Sequence, residues 1–132
     1  MTVLKYYIEE KNYELAIDTL ENLVRRKASV RLCIVGVGPD RELISKYAKI
    51  KGLEKYVNFL GWRNDIQNLM RSHHIFLHTA FTESYGQVLV EAKLASMRFV
   101  STDVGIARRL EAECSNSKVS NHFNSVELAS LI

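Results

Sequence analysis

Short apolar runs alternate with amphipathic stretches along the whole of this 132-residue chain, and that alternation is its strongest constraint on folding. Tyr13, Ala16, Ile17, Leu20, Leu23 and Val24 recur at helical spacing, which predicts a helix from Asn12 to Lys27 with Asn12 as its cap. Val30 to Val35 is β-branched and apolar and stops at Gly36-Val37-Gly38-Pro39, a strand meeting a tight loop. Asp40 is expected to cap a second helix that Gly52 ends. Val57 to Leu60 predicts a strand closed by Gly61, and Asp65 the start of a helix through Met70. Ile75 to His78, Phe99 to Ser101 and the region from Lys118 predict further strands. Helices are expected over Gly86–Ala95, Ile106–Glu113 and Val126–Leu131.

Strands and helices that alternate through short connections build right-handed βαβ units. The expected fold is α/β: a Rossmann-like three-layer sandwich around a parallel sheet. Such sheets take ligands outside the carboxyl ends of their strands. The loops Gly36–Pro39, Gly61–Asn64, Thr79–Tyr85 and Thr102–Gly105 all follow strands, so they should share one edge.

Composition excludes several functions. Eighteen Lys and Arg against fifteen Asp and Glu leave a formal charge of +3, which is compatible with anionic ligands but gives no case for nucleic acid. Cys33 and Cys114 form neither a disulfide framework nor a CxxC motif. No apolar run approaches the ~20 residues that span a bilayer, and no signal-peptide core precedes Glu9-Glu10-Lys11. The expected location is cytoplasmic. Arg25-Arg26-Lys27 reads first as the basic end of a helix, and second as a peripheral membrane contact.

The segment Thr82 to Ala92 carries the most chemistry. Glu83 stands just before a glycine turn, and Glu91 sits among Val88, Leu89, Val90, Ala92 and Leu94. Ionised carboxylates are rarely buried without partners, so Glu91 is expected to face something other than plain core. A helix start near Gly86 would offer N–H groups to phosphate. Other motifs are weaker. Gly36 and Gly38 give half of a dinucleotide fingerprint, with Arg41 where the third glycine belongs; a tight turn and NAD binding both stay open here. His73, His74 and His78 lack the companions of a metal set. Lys11 is either a solvated loop lysine or a cation over the strand edge, able to neutralise a diphosphate. No nucleophile elbow or phosphate-binding loop of the GxxxxGK type occurs.

Five motifs in order then resemble the donor-binding, C-terminal half of the retaining glycosyltransferases of two-domain GT-B architecture, the group 1 or family 4 type. They are Glu9-Glu10-Lys11-Asn12-Tyr13, Ile34 to Pro39, Val57 to Trp62, Glu83 with Glu91 (an E-x7-E pair), and Ser101-Thr102-Asp103-Val104-Gly105. The resemblance implies a role for each. Glu91 would accept hydrogen bonds from ribose hydroxyls, and Glu83 from hydroxyls of the donor sugar. Ser84 and backbone N–H groups around Tyr85, Gly86, Gln87 and Val88 would hold sugar and diphosphate. The Gly36 and Gly38 loop and Trp62 would border the donor, and the backbone near Arg63 would contact the base. Lys11 would stabilise the departing nucleoside diphosphate without any metal or other cofactor.

It further implies transfer of a hexose, with retention, from a UDP- or GDP-sugar to a glycan or lipid acceptor. The 1–132 span is then a single nucleotide-sugar-binding domain truncated at both ends, whose partner is an N-terminal acceptor domain supplied in cis or in trans. Three motifs depart from the family. Lys5-Tyr6 stands where Gly-Arg is usual, with Lys5 as the candidate second diphosphate cation. Ala95 to Val100 lacks the usual glycine and proline, and Gly105-Ile106-Ala107-Arg108-Arg109 replaces "G-G-x-P-E". The alternative is therefore a catalytically inactive nucleotide-sugar-binding or interaction module of the same fold.

Overall fold

A computed structural model describes the backbone of residues 2–6 and residues 12–132 in full. Lys11 lies outside the described residues, and of Lys5 only the backbone is described. The elements run β1 (Thr2–Tyr6), α1 (Tyr13–Arg25), β2 (Arg31–Val35), α2 (Arg41–Ile50), β3 (Val57–Gly61), α3 (Ile66–Ser72) and β4 (Ile75–His78). They continue with α4 (Gln87–Leu94), β5 (Arg98–Ser101), α5 (Ala107–Glu113), β6 (Lys118–Val119) and α6 (Ser125–Leu131).

The strands form one six-stranded sheet in the order β3-β2-β1-β4-β5-β6, and every pairing is parallel. The order turns back between β1 and β4, the crevice where open sheets of this kind bind ligands. Alternation along the strands divides the core. Leu32, Ile34, Ile75, Leu77 and Val100 pack with α1, α2 and α6, whereas Cys33, Val35, Phe76 and Phe99 pack with α3, α4 and α5. Three layers result, as the residue pattern predicts.

Local chemistry explains the ends of the elements. Asn12 adopts a left-handed conformation (φ 48°) and its side chain accepts from Leu15 N–H at 3.2 Å, so α1 is capped as expected. Asp40 and Asp65 stand at the cap positions of α2 and α3 but make no side-chain capping bond. Asp65 is engaged by the Arg63 guanidinium at 2.8 and 2.6 Å, which also draws its carboxyl below the ordinary value. A 3-10 turn over Glu54–Tyr56 precedes β3 without a sequence signal. Lys51 joins the two helices of one layer, reaching Glu21 at 2.8 Å and Asp18 at 3.0 Å, and both partners raise its pKa.

Candidate functional site at the carboxyl edge of the sheet

All four suspected loops emerge from strand C-termini, and hydrogen bonds join them. Gly36 N–H donates to the Gly61 carbonyl at 2.7 Å, tying the loops after β2 and β3. Gly36 has φ 113°, which accounts for the glycine; Gly38 has no positive φ. The loop after β4 is anchored where the strand order reverses, because Thr79 Oγ1 donates to the Asn12 carbonyl at 2.9 Å.

The loop after β5 braces the loop after β4 at two points. Thr102 N–H donates to the His78 carbonyl at 2.9 Å and its hydroxyl to the Ala80 carbonyl at 2.7 Å. Ile106 N–H donates to the Tyr85 carbonyl at 2.9 Å. Gly105, with φ 53°, lies so close that a β-carbon there would stand 2.4 Å from the Tyr85 oxygen. Arg108 holds this bracing loop in place. Its guanidinium donates to Asp103 and Glu111, each at 3.1 Å, to the Val119 carbonyl at 3.2 Å, and to Asn121 beyond β6. These carboxylates and carbonyls leave Arg108 committed to architecture.

The braced segment delivers the chemistry. Gly86 caps α4 in a left-handed conformation (φ 94°, ψ 44°) without any side-chain cap. A β-carbon at Gly86 would meet Leu89 and Glu83 only at 3.4 and 3.5 Å, so backbone conformation, not space, demands the glycine. The first-turn N–H groups of Gln87 and Val88 have no carbonyl partner inside the helix, the arrangement that attracts anions. Val88, Leu89 and Ala92 are buried. Gln87 and Glu91 share the opposite face by i,i+4 spacing, and Glu91 is half-buried. Glu91 therefore lies off the core face despite its apolar neighbours.

Glu83 leans over the end of β4. Its side chain is 20% exposed, and its Oε2 stands 3.7 Å from Nε2 of the buried His78. Ser84, Tyr85 and Gln87 are exposed beside it. Trp62 is 78% exposed after β3, followed by Arg63 in its pair with Asp65. Glu83 to Val88 thus form one continuous segment, while Gly36, Gly38, Trp62 and Arg63 come from the two neighbouring loops of the same edge. On the far side of the β4 loop, Phe81 and Thr82 border a cavity of ≈ 520 Å³ walled by Tyr13, Ile17, Leu43 and Tyr47. Among the described residues, its charged lining is Glu14 and Asp40.

Among the described residues no group of three His, Cys, Asp or Glu side chains is placed to hold a metal. No helix among them is long and apolar enough to cross a membrane. The bracing roles of two residues escape sequence reading: Thr102 lies in a motif singled out for other reasons, and Arg108 in a stretch noted only as a departure from the family pattern.

A parallel sheet in this strand order, with a glycine-started helix at the reversal point, defines a Rossmann-like fold suited to phosphorylated ligands. The family described as Glycosyl transferases group 1 matches residues 2–130, and the chain belongs to it. The gpi3 subunit of the Schizosaccharomyces pombe phosphatidylinositol N-acetylglucosaminyltransferase is 33% identical over 102 residues, covering 76% of this chain and 22% of that protein. The lipopolysaccharide glucosyltransferase WaaG of Escherichia coli is 30% identical over 95 residues, covering 71% of this chain and 25% of the relative.

Solved structures agree. WaaG, a glycosyltransferase involved in lipopolysaccharide biosynthesis, superposes with a TM-score of 0.86 at 25% identity, over 98% of this chain and 36% of WaaG. Anabaena HepE in complex with UDP and glucose gives 0.86 at 28% identity, over 98% of this chain and 37% of HepE. The chain thus spans well under half the length of the proteins it matches. The family membership displaces the NAD reading of Gly36 and Gly38 and leaves the tight turn.

Proposed function

We propose that this chain is the donor-binding half of a retaining glycosyltransferase, which moves a hexose from a nucleotide-diphosphate sugar to a glycan or lipid acceptor. The observation that carries this reading is the braced Glu83–Val88 segment, with uncapped N–H groups at the start of α4, Glu83 just before that start and Glu91 one turn into the helix. HepE, a structural neighbour, is solved with UDP-glucose, which supports a nucleotide sugar as the ligand class.

In this reading the N–H groups of Gly86, Gln87 and Val88 receive the diphosphate and sugar. Glu91 accepts from the ribose hydroxyls and Glu83 from the sugar hydroxyls. Backbone near Arg63 meets the base, with Trp62 and the Gly36–Gly38 loop as its borders. Lys11 offsets the charge that develops on the leaving diphosphate, a contribution of about 10²–10³ in rate for one such group. No metal takes part. The acceptor site, and the rest of the cleft, come from an N-terminal domain. The names of the relatives favour a lipid-linked acceptor, used at a membrane surface.

Thermal unfolding with and without millimolar UDP or GDP tests this directly. A rise in Tm that Glu91→Ala removes is the expected result; no shift with either nucleotide refutes the reading. A second reading, a module that binds donor but transfers nothing, is favoured by Arg108. That residue stands in the stretch where the family carries "G-G-x-P-E", and its guanidinium is spent on loop contacts. Sugar transfer after mixing with a cognate N-terminal domain would rule it out.

A further inference from the structure

His78 ends β4 directly beneath the Glu83 loop, where an apolar side chain would fill the same space without the cost of desolvating a polar ring. Alternation sends Phe76 and His78 to the same face of the sheet. Their rings stack there with centroids 6.1 Å apart and planes inclined by 25°. The imidazole is 2% exposed. Its place is fixed from the backbone, because the His78 carbonyl accepts from Thr102 N–H.

Glu83 is constrained from the other side. A β-carbon on Gly105 would lie 3.3 Å from Glu83 Cγ, and one on Gly86 3.5 Å. The stem of Glu83 thus runs beside two glycines, where a side chain at Gly105 would crowd it, and its carboxylate is directed over His78, with Oε2 3.7 Å from Nε2. That distance is too long for a direct hydrogen bond. It is short enough for the ring edge to orient the carboxylate as a polar neighbour, whatever the ring's charge.

Resting on the donor reading above, we propose that His78 is a positioning residue: its ring nitrogen fixes the Glu83 carboxylate for recognition of the donor's sugar, as distinct from its nucleotide. The nucleotide contacts lie along α4 and the loops after β2 and β3, so they should not sense this ring.

Calorimetric titration of the full chain with UDP, UDP-glucose and UDP-N-acetylglucosamine separates the two. His78→Phe keeps the ring volume and the stack on Phe76 but removes both nitrogens. It should hold UDP affinity within about twofold and weaken the preferred nucleotide sugar about tenfold. His78→Gln, which restores a polar group at the ring's edge, should recover most of that loss. Unchanged nucleotide-sugar binding in His78→Phe overturns the proposal, as does an equal loss of UDP and nucleotide sugar.

A second measurement needs no ligand. In 15N NMR spectra at fixed pH, Glu83→Gln should change the tautomer balance of the His78 ring, because the carboxylate faces Nε2 and an amide accepts less strongly than a carboxylate; an unmoved balance overturns the proposal. If the unaltered chain binds neither UDP nor a nucleotide sugar, the donor reading falls. The NMR comparison then decides the His78–Glu83 contact by itself.

Discussion

Gly105 and Tyr85 occupy what is nearly one space. A β-carbon on Gly105 would stand 2.4 Å from the Tyr85 carbonyl oxygen and 2.8 Å from its carbonyl carbon. The next residue, Ile106, donates its N–H to that same oxygen. The loop after β5 is thus pressed against the loop that carries Glu83, and only the absence of a side chain permits it. The conformations of the Glu83 loop and the Thr102–Gly105 turn are mechanically linked.

Gly105→Ala should consequently be far more damaging than Gly52→Ala. Both glycines have positive φ, but nothing lies within 4 Å of a β-carbon at Gly52. Gly52→Ala meets the left-handed backbone cost alone, about 1–2 kcal/mol. Gly105→Ala adds a clash with backbone that cannot rotate away, and should exceed that cost and also abolish the UDP-dependent rise in Tm. Urea unfolding with and without nucleotide measures both effects; equal losses for the two variants would contradict the linkage.

Thr102 offers a gentler probe of the same brace. Its side chain is fully buried and its hydroxyl donates to the Ala80 carbonyl at 2.7 Å. Thr102→Val keeps the shape and leaves that carbonyl short of a donor, a loss of about 1–3 kcal/mol. On the proposed donor reading nucleotide affinity should fall with it, since the freed carbonyl lies in the loop that carries Glu83. Thr102→Ser, which retains the hydroxyl, should lie closer to the unaltered chain.

Asn12 separates conformation from capping. Its left-handed φ of 48° favours Asn or Gly, and its side chain caps Leu15. Asn12→Gly should lose only a few tenths of a kcal/mol, whereas Asn12→Ala sacrifices the cap and strains the backbone, about 1–3 kcal/mol together. Chemical denaturation of the pair tests the ranking, and similar values would show that the cap dominates.

Acid stability should depend on Glu127. The Asn121 N–H at 2.8 Å and the His122 ring at 3.0 Å hold its carboxyl below the ordinary value. A carboxyl lowered in the folded state stabilises above its unfolded pKa, near 4.3, and that stabilisation fades as pH falls through the folded value. Glu127→Gln should therefore flatten the stability profile below about pH 4.3. A profile parallel to that of the unaltered chain would remove Glu127 from the acid limb.

The sheet was legible in the sequence because each βαβ unit keeps its own periodicity and its own short connection. Gly86 was legible for a similar reason, as a glycine set just before an apolar run. Asp65 opens α3 as read, although Arg63, two residues earlier, captures the carboxylate that a side-chain cap would use. Glu91 could be suspected from its neighbours, but the face it shares with Gln87 follows only from where α4 begins. Arg108 was not legible at all: its partners Val119 and Asn121 reach it only once β6 lies beside β5. His78 could be placed beside the Glu83 loop by position, whereas the space that Glu83 occupies depends on Gly105, from the loop after the next strand.

The strand order carries one more consequence, for how the molecule forms. No hairpin joins any two neighbours; Val3 pairs with Ile75, Leu32 with Val57, and Ile75 with Arg98. Every ladder must close a long loop before it gains a hydrogen bond, which slows folding in sheets of this kind. The crevice between β1 and β4 closes the longest of them. Donor-site assembly is therefore expected among the latest events of refolding, so recovery of nucleotide binding should trail recovery of helical signal after dilution from denaturant.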